Sequence, residues 1–242
     1  MAGHSHWANI QRKKSAVDAK RGKVFSKWAK LIANAARTGG GDPDMNLSLR
    51  YAMDRARADN MPKDSIDRAV KKGTGELGGA ALEEVVYEAY GPNGVAIIIE
   101  SLTDNRARTA PDLRYILDRK GGSLANSGAV AWMFERKAAF VLQRSELDED
   151  EVMMVALDNG AEDVTTDEAE IIGVTGPQSE FHNLKTAFDE AGYETLDGAL
   201  RYIPNNFVEI DQEAFQKISA LMDALEDNDD VQEVHNNAEL ST

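Results

Sequence analysis

The sequence predicts an α+β multidomain protein: an N-terminal three-helix domain with a basic arm, then two α+β domains, one ferredoxin-like and inserted in the other. Three observations predict this. The apolar period is helical up to residue 73 and strand-like beyond it, and a glycine-rich joint at 73–79 separates the two regimes. Residues 137–203 run strand, helix, strand, strand, helix, strand, which is the ferredoxin-like order. The segments on either side, 81–136 and 204–242, together supply one further set of strands and helices. The expected domains are therefore 1–80, 81–136 plus 204–242, and 137–203.

Residues 1–22 are polar, basic and without a lasting apolar period, as in an arm. From 23 to 37, Val24, Phe25, Trp28, Leu31, Ile32, Ala35 and Ala36 gather on one helical face. Lys23, Lys27, Lys30, Asn34 and Arg37 fall on the opposite stripe. Thr38-Gly39-Gly40-Gly41 stops this helix. Asp42-Pro43-Asp44 opens a second, running to about residue 58, and Asn60-Met61-Pro62 turns into a third that ends at Gly73. Strands at 85–90 and 95–101 flank Gly91-Pro92-Asn93-Gly94, a hairpin signal. A helix over 106–119 leads through Gly121-Gly122 to a strand at 130–134. The inserted unit reads as strand 139–143, helix 148–159, strands 162–166 and 170–175, helix 180–191 and strand 196–203. The end supplies strand 206–210, helix 212–225 and strand 231–236.

Charge divides the chain in the same place. Residues 1–75 hold 16 Lys and Arg against 7 Asp and Glu, while residues 76–242 hold 11 against 35, and the sum is −15. Before Asp42 stand nine cations and one acid, Asp18. Positive charge concentrated on an acidic molecule is the footprint of polyanion binding, because each neutralised phosphate releases condensed counterions. The candidate nucleic-acid-binding residues are Trp7, Arg12, Lys13, Lys14, Lys20, Arg21, Lys23, Lys27, Lys30 and Arg37. Trp7, alone among polar and basic neighbours, can stack on an unpaired base or fold back as an apolar anchor.

Other chemistries find little support. The chain has no cysteine, so disulfides, thiolate metal sites and cysteine nucleophiles are excluded. No phosphate-loop or nucleophile-elbow motif occurs. Gly73-Thr74-Gly75-Glu76-Leu77-Gly78 fits GxGxxG but follows a helix, so it reads as a helix stop. With Met1 removed, Ala2-Gly3-His4 would offer a free amine, two amides and an imidazole to copper or nickel in solution, and the acid clusters 148–151 and 226–230 read as solvated faces rather than calcium loops. His182 and His235 read as ordinary helix and strand residues. The expectation is no enzyme, no cofactor and no metal. The start lacks the apolar core of a secretory signal, and the longest apolar runs fall far short of the roughly 20 residues of a membrane span. A soluble, cytoplasmic monomer is expected.

Several ordered motifs identify a relationship. Gly3-His4-Ser5, Trp7-Ala8-Asn9-Ile10, Arg12-Lys13, Asp18-Ala19-Lys20-Arg21-Gly22-Lys23 and Asn60-Met61-Pro62 resemble the YebC/PmpR family, as do Tyr90-Gly91-Pro92, Thr103-Asp104-Asn105-Arg106 and Gly121-Gly122. The resemblance spans residues 3–134 by motif and the remainder by fold. His6 stands where lysine is common, and Ala107 where a polar residue is expected. The resemblance implies three domains, no enzymatic activity and one of two roles. One is a DNA-binding transcriptional regulator. The other is a ribosome-associated translation factor that relieves stalling at proline-rich stretches, like the mitochondrial translational activator of cytochrome oxidase.

The residues themselves bear on the choice between ribosomal RNA and DNA. The second and third helices have helix-turn-helix spacing, which would put the third in a major groove. Its leading residues include Asp64 and Asp67, which suit a helix N-terminus better than a DNA surface. A basic arm with Trp, His and Asn resembles segments that thread folded RNA, so RNA on the ribosome is the favoured partner. A protein adaptor acting through the acidic domains is a third reading.

Overall fold

The computed structural model describes residues 21–78, 81–144, 147–166 and 169–241. Helices α1 (Arg21–Gly39), α2 (Leu47–Ala58) and α3 (Lys63–Gly73) come first. Ile32, Ala36, Leu49, Met53, Ala56 and Ile66 form their core, with Phe25 and Trp28 packed on it. The second helix starts later than Asp42-Pro43-Asp44 predicts. Asn46 is its cap: the side-chain oxygen accepts from the Leu49 N–H, and the amide donates to the Ala35 and Gly40 carbonyls. One buried side chain thus satisfies the end of α1 and the start of α2. Asn60, at φ 62°, turns the chain into α3. Gly73 ends α3 where a Cβ would stand 2.3 Å from the Ala33 carbonyl oxygen, so glycine is required for α3 to approach α1 this closely. The GxGxxG run is accordingly a helix end and a turn.

Strands β1 (Glu83–Tyr90) and β2 (Ala96–Thr103) form the expected hairpin, followed by α4 (Arg106–Arg119) and β3 (Ser123–Leu124). Next come β4 (Phe134–Gln143), α5 (Glu149–Asp158), β5 (Asp163–Thr165), β6 (Ile171–Pro177), α6 (Phe181–Glu190) and β7 (Thr195–Pro204). The chain closes with β8 (Val208–Ile210), α7 (Gln212–Glu226), β9 (Val231–Asn236) and β10 (Ala238–Leu240).

The first sheet has the order β3-β1-β2-β9, so a strand from near the end of the chain pairs with one from its first half. Helices α4 and α7 cover one face through Leu113, Leu117, Ile218, Leu221 and Leu225. The other face meets Val130 and Phe134 across Ala96 and Ile98. The second sheet has the antiparallel order β5-β6-β4-β7, the ferredoxin-like arrangement, with α5 and α6 on one face over Phe140, Leu142, Ile172 and Val174. Strands β8 and β10 pair in parallel.

Two expected strands, 130–134 and 139–143, are replaced by a loop, a 3-10 turn (Ala131–Met133) and the single long strand β4. The polar run Glu135-Arg136-Lys137 resembles a linker, yet it pairs in register with Ile203, Tyr202 and Arg201. The buried Glu88 carboxylate accepts the N–H groups of Gly128, Val130 and Ala131 at 2.6–2.8 Å, which diverts them from any strand ladder. Burial works against that charge, but these backbone donors hold the Glu88 carboxyl below its ordinary pKa.

Candidate nucleic-acid interface and the acidic turn against it

Helix α1 turns its polar stripe toward the first sheet and its flanking turn, with Lys27, Lys30 and Asn34 half-buried there and Lys23 and Arg37 still exposed. Lys23 donates to the Asp227 carbonyl at 3.0 Å, Lys27 to the Gln232 carbonyl at 3.5 Å and Lys30 to the Asp229 carbonyl at 2.8 Å. Asn34 donates to the Glu84 carboxylate at 2.7 Å, and Arg37 to the Leu82 carbonyl. Ala33, Leu82 and Leu102 seal the contact with an apolar cluster. The candidate phosphate contacts Lys27 and Lys30 are thus half-buried against the same chain, while Lys23 and Arg37 keep exposed side chains. The stripe's charge is complementary to the chain's own acidic turn, and an apolar seam lies beside it.

In the cluster 226–230, Asp227 and Asp229 are exposed as expected, but Asp230 is not part of a solvated face. Asp230 is 4% exposed and receives Lys30 at 2.7 Å, Arg108 at 2.8 Å and Thr109 at 2.8 Å. Burial alone would raise its pKa. The hydrogen bonds from Lys30, Arg108 and Thr109 outweigh that and hold the carboxyl at about 2.

A second junction joins α2 to the ferredoxin-like sheet. The Tyr51 hydroxyl donates to the Gly198 carbonyl, and its ring stands edge-on to Phe181 at 5.6 Å. Arg55 reaches the buried Asp197 at 2.8 Å, and Asp197 also takes Arg201 at 2.6 Å. Arg201 continues to Glu233 on β9. Burial again opposes the Asp197 charge, but Arg201 and Arg55 draw its pKa below the ordinary value. Nearby, His235 lies 2.8 Å from Glu100, which faces Arg136 at 3.6 Å. Among the described residues Glu100, Glu233 and His235 form one group of metal-ligand type. Arg136 and Arg201 already counter those carboxylates, so ion pairing explains the group without a metal.

Of the candidate residues, Trp7, Arg12, Lys13, Lys14 and Lys20 lie outside the described residues, and so does the side chain of Arg21. Lys23, Lys27, Lys30 and Arg37 are brought together on one face of α1. Sequence reasoning missed Arg55, Arg108, Asp197 and Asp230. The one available signal was the acid cluster itself, four carboxylates in five residues opposite a helix of spaced lysines.

Two family models cover nearly all of this architecture. The TACO1/YebC N-terminal domain matches residues 5–76, and the TACO1/YebC second and third domain matches 82–238. The chain belongs to the TACO1/YebC family. A probable transcriptional regulatory protein of Caldanaerobacter subterraneus subsp. tengcongensis is 49% identical over 241 residues, covering 99% of both chains. One from Clostridium acetobutylicum is 50% identical, covering 99% of this chain and 98% of the relative. A crystal structure of a conserved hypothetical protein from Aquifex aeolicus superposes with a TM-score of 0.88 at 40% identity, over 98% of each chain. This TACO1/YebC member thus shares its α+β architecture with the Aquifex protein, and about half its sequence with proteins named probable transcriptional regulators.

Proposed function

We propose that this chain is a non-catalytic, nucleic-acid-binding regulator of gene expression that binds RNA on the ribosome and relieves stalling at proline-rich stretches. The observation that carries the reading is the concentration of cations before Asp42, nine against one acid, on a chain of net charge −15. The α1 lysines meet carboxylates and carbonyls of the same chain, so the strongest phosphate-binding charge is that of Arg12, Lys13, Lys14, Lys20 and Arg21. Trp7 adds a ring able to stack on an unpaired base. The protein acts as a cytoplasmic monomer.

The test is sedimentation with ribosomes through a sucrose cushion at rising salt, together with translation of a proline-rich reporter in a lysate. Co-sedimentation that fades with salt, and a reporter yield that rises with added protein, are the expected results. Protein that stays in the supernatant at low salt and leaves the reporter unchanged would overturn the reading.

A second reading is duplex DNA and transcription. It is supported by the names of the relatives and by the α2–α3 pair, whose turn at Asn60 has helix-turn-helix spacing. Exposed Asp64 and Asp67 at the start of α3 weigh against it, since carboxylates there would face phosphate.

A further inference from the structure

Helix α4 is a basic island in the acidic part of the chain. Five of the eleven Lys and Arg beyond residue 75 fall between 106 and 120, against two acids, Asp112 and Asp118. Leu113 and Leu117 bury one side of the helix under the first sheet, and Thr109 is buried with them. Arg114, Tyr115, Arg119 and Lys120 remain exposed at its far end, with Tyr115 61% exposed. The Arg119 guanidinium lies 5.7 Å from the Tyr115 ring centre and donates to the hydroxyl at 2.9 Å, so the ring is held in place by a cation. Among the described residues no carboxylate pairs with Arg114, Arg119 or Lys120.

We infer that the exposed end of α4 is a second nucleic-acid contact, in which Arg114, Arg119 and Lys120 meet phosphates and Tyr115 stacks on an unpaired base. Cations at a helix C-terminus complement its dipole, which accounts for Arg119 and Lys120. That role gives no reason for an exposed tyrosine ring fixed between them. An aromatic held among cations is the usual platform for single-stranded nucleic acid, where the ring stacks a base and the charges follow the backbone. The position fits as well. Arg108 near the start of α4 shares Asp230 with Lys30 of α1, so the helix leads away from the basic N-terminal domain. From Arg108 to Arg119 it advances about 16 Å.

This site rests on the proposed reading that the chain binds nucleic acid, and the test separates the two. Binding of a fluorescent single-stranded RNA and of a random DNA duplex is titrated from low to physiological salt. The proteins are wild type, an arm variant (Arg12, Lys13, Lys14, Lys20 and Arg21 to Gln), R114Q/R119Q/K120Q, Y115A and Y115F. All four α4 side chains are exposed, so the proteins should stay folded, with melting temperatures lowered by no more than the small loss of charge at the helix end. The triple variant should weaken RNA binding and flatten the logarithmic salt slope by about 2, at roughly 0.7 per lost single-strand phosphate contact. Y115A should weaken RNA binding about ten-fold, leave duplex binding unchanged, and be rescued by Y115F, which keeps the ring. If the arm variant loses binding while every α4 variant keeps wild-type affinity and slope, the α4 site is overturned and the arm reading stands. If the arm variant binds normally and the α4 variants do not, the α4 site stands and the arm reading falls.

Discussion

Lys30 on α1 and Asp230 in the turn before β9 meet at 2.7 Å, although 200 residues separate them. The same carboxylate holds Arg108 at the start of α4 and hydrogen-bonds to Thr109 and Thr103. One buried acid therefore fixes the helical domain against the first sheet. The cationic stripe of α1, which its spacing offers to phosphate, is in this arrangement held by the protein's own carboxylates and carbonyls.

Replacing Asp230 with Asn should lower stability by about 2 kcal/mol, because Lys30 and Arg108 lose the charge that compensates them. The midpoint of urea unfolding should fall with the slope unchanged. A midpoint equal to wild type would mean that the pair contributes nothing.

The same carboxyl predicts a pH dependence. Its folded pKa of about 2 lies below the ordinary 3.8, so its stabilisation is complete above pH 3.8 and is lost as pH falls through about 2. The stability gap between wild type and D230N, about 2 kcal/mol at neutral pH, should shrink toward zero over that window. A gap that stays constant down to pH 2 would contradict the assignment.

Arg55→Ala should loosen the junction between α2 and the ferredoxin-like sheet by leaving the buried Asp197 with Arg201 as its remaining partner. We take residues 1–80 as a separately folding unit, so limited proteolysis should cut within 74–79 and leave a resistant acidic core. After cleavage the pieces should co-elute at low salt in wild type and separate more readily in Arg55→Ala. Cuts concentrated inside 137–203 would place the boundary elsewhere.

Neutralising Arg12, Lys13, Lys14, Lys20 and Arg21 together should abolish nucleic-acid binding with little change in melting temperature, since this polar segment offers few apolar groups to bury. Charge reversal at Lys27 and Lys30 should behave differently and lower the melting temperature as well, because both are docked on the first sheet. Equal melting temperatures for the two variants would contradict that docking.

The elements were legible where local chemistry decides them. Helix α4 runs over 106–119 as its pattern predicts, because the Asn105 side chain accepts from the Arg108 N–H and Gly121 and Gly122 follow its end. The ferredoxin-like order was legible from the alternation of periods across 137–203. What the sequence hid depends on distant partners. No local signal shows that Glu88 captures three amides 40 or more residues away, or that Arg55 will find Asp197 after 142 residues. The α1 stripe was correctly placed on one face, but helical periodicity marks a polar face without saying whether water or carboxylate lies opposite. Asp230 reads as one more acid in a solvated run until its burial is seen.

Crosslinking the protein to nucleic acid in living cells, then sequencing what is attached, tests the central claim most directly. The account predicts reads concentrated on ribosomal RNA, with the signal lost in the arm variant. Reads confined to discrete promoter DNA, unaffected by that variant, would contradict it.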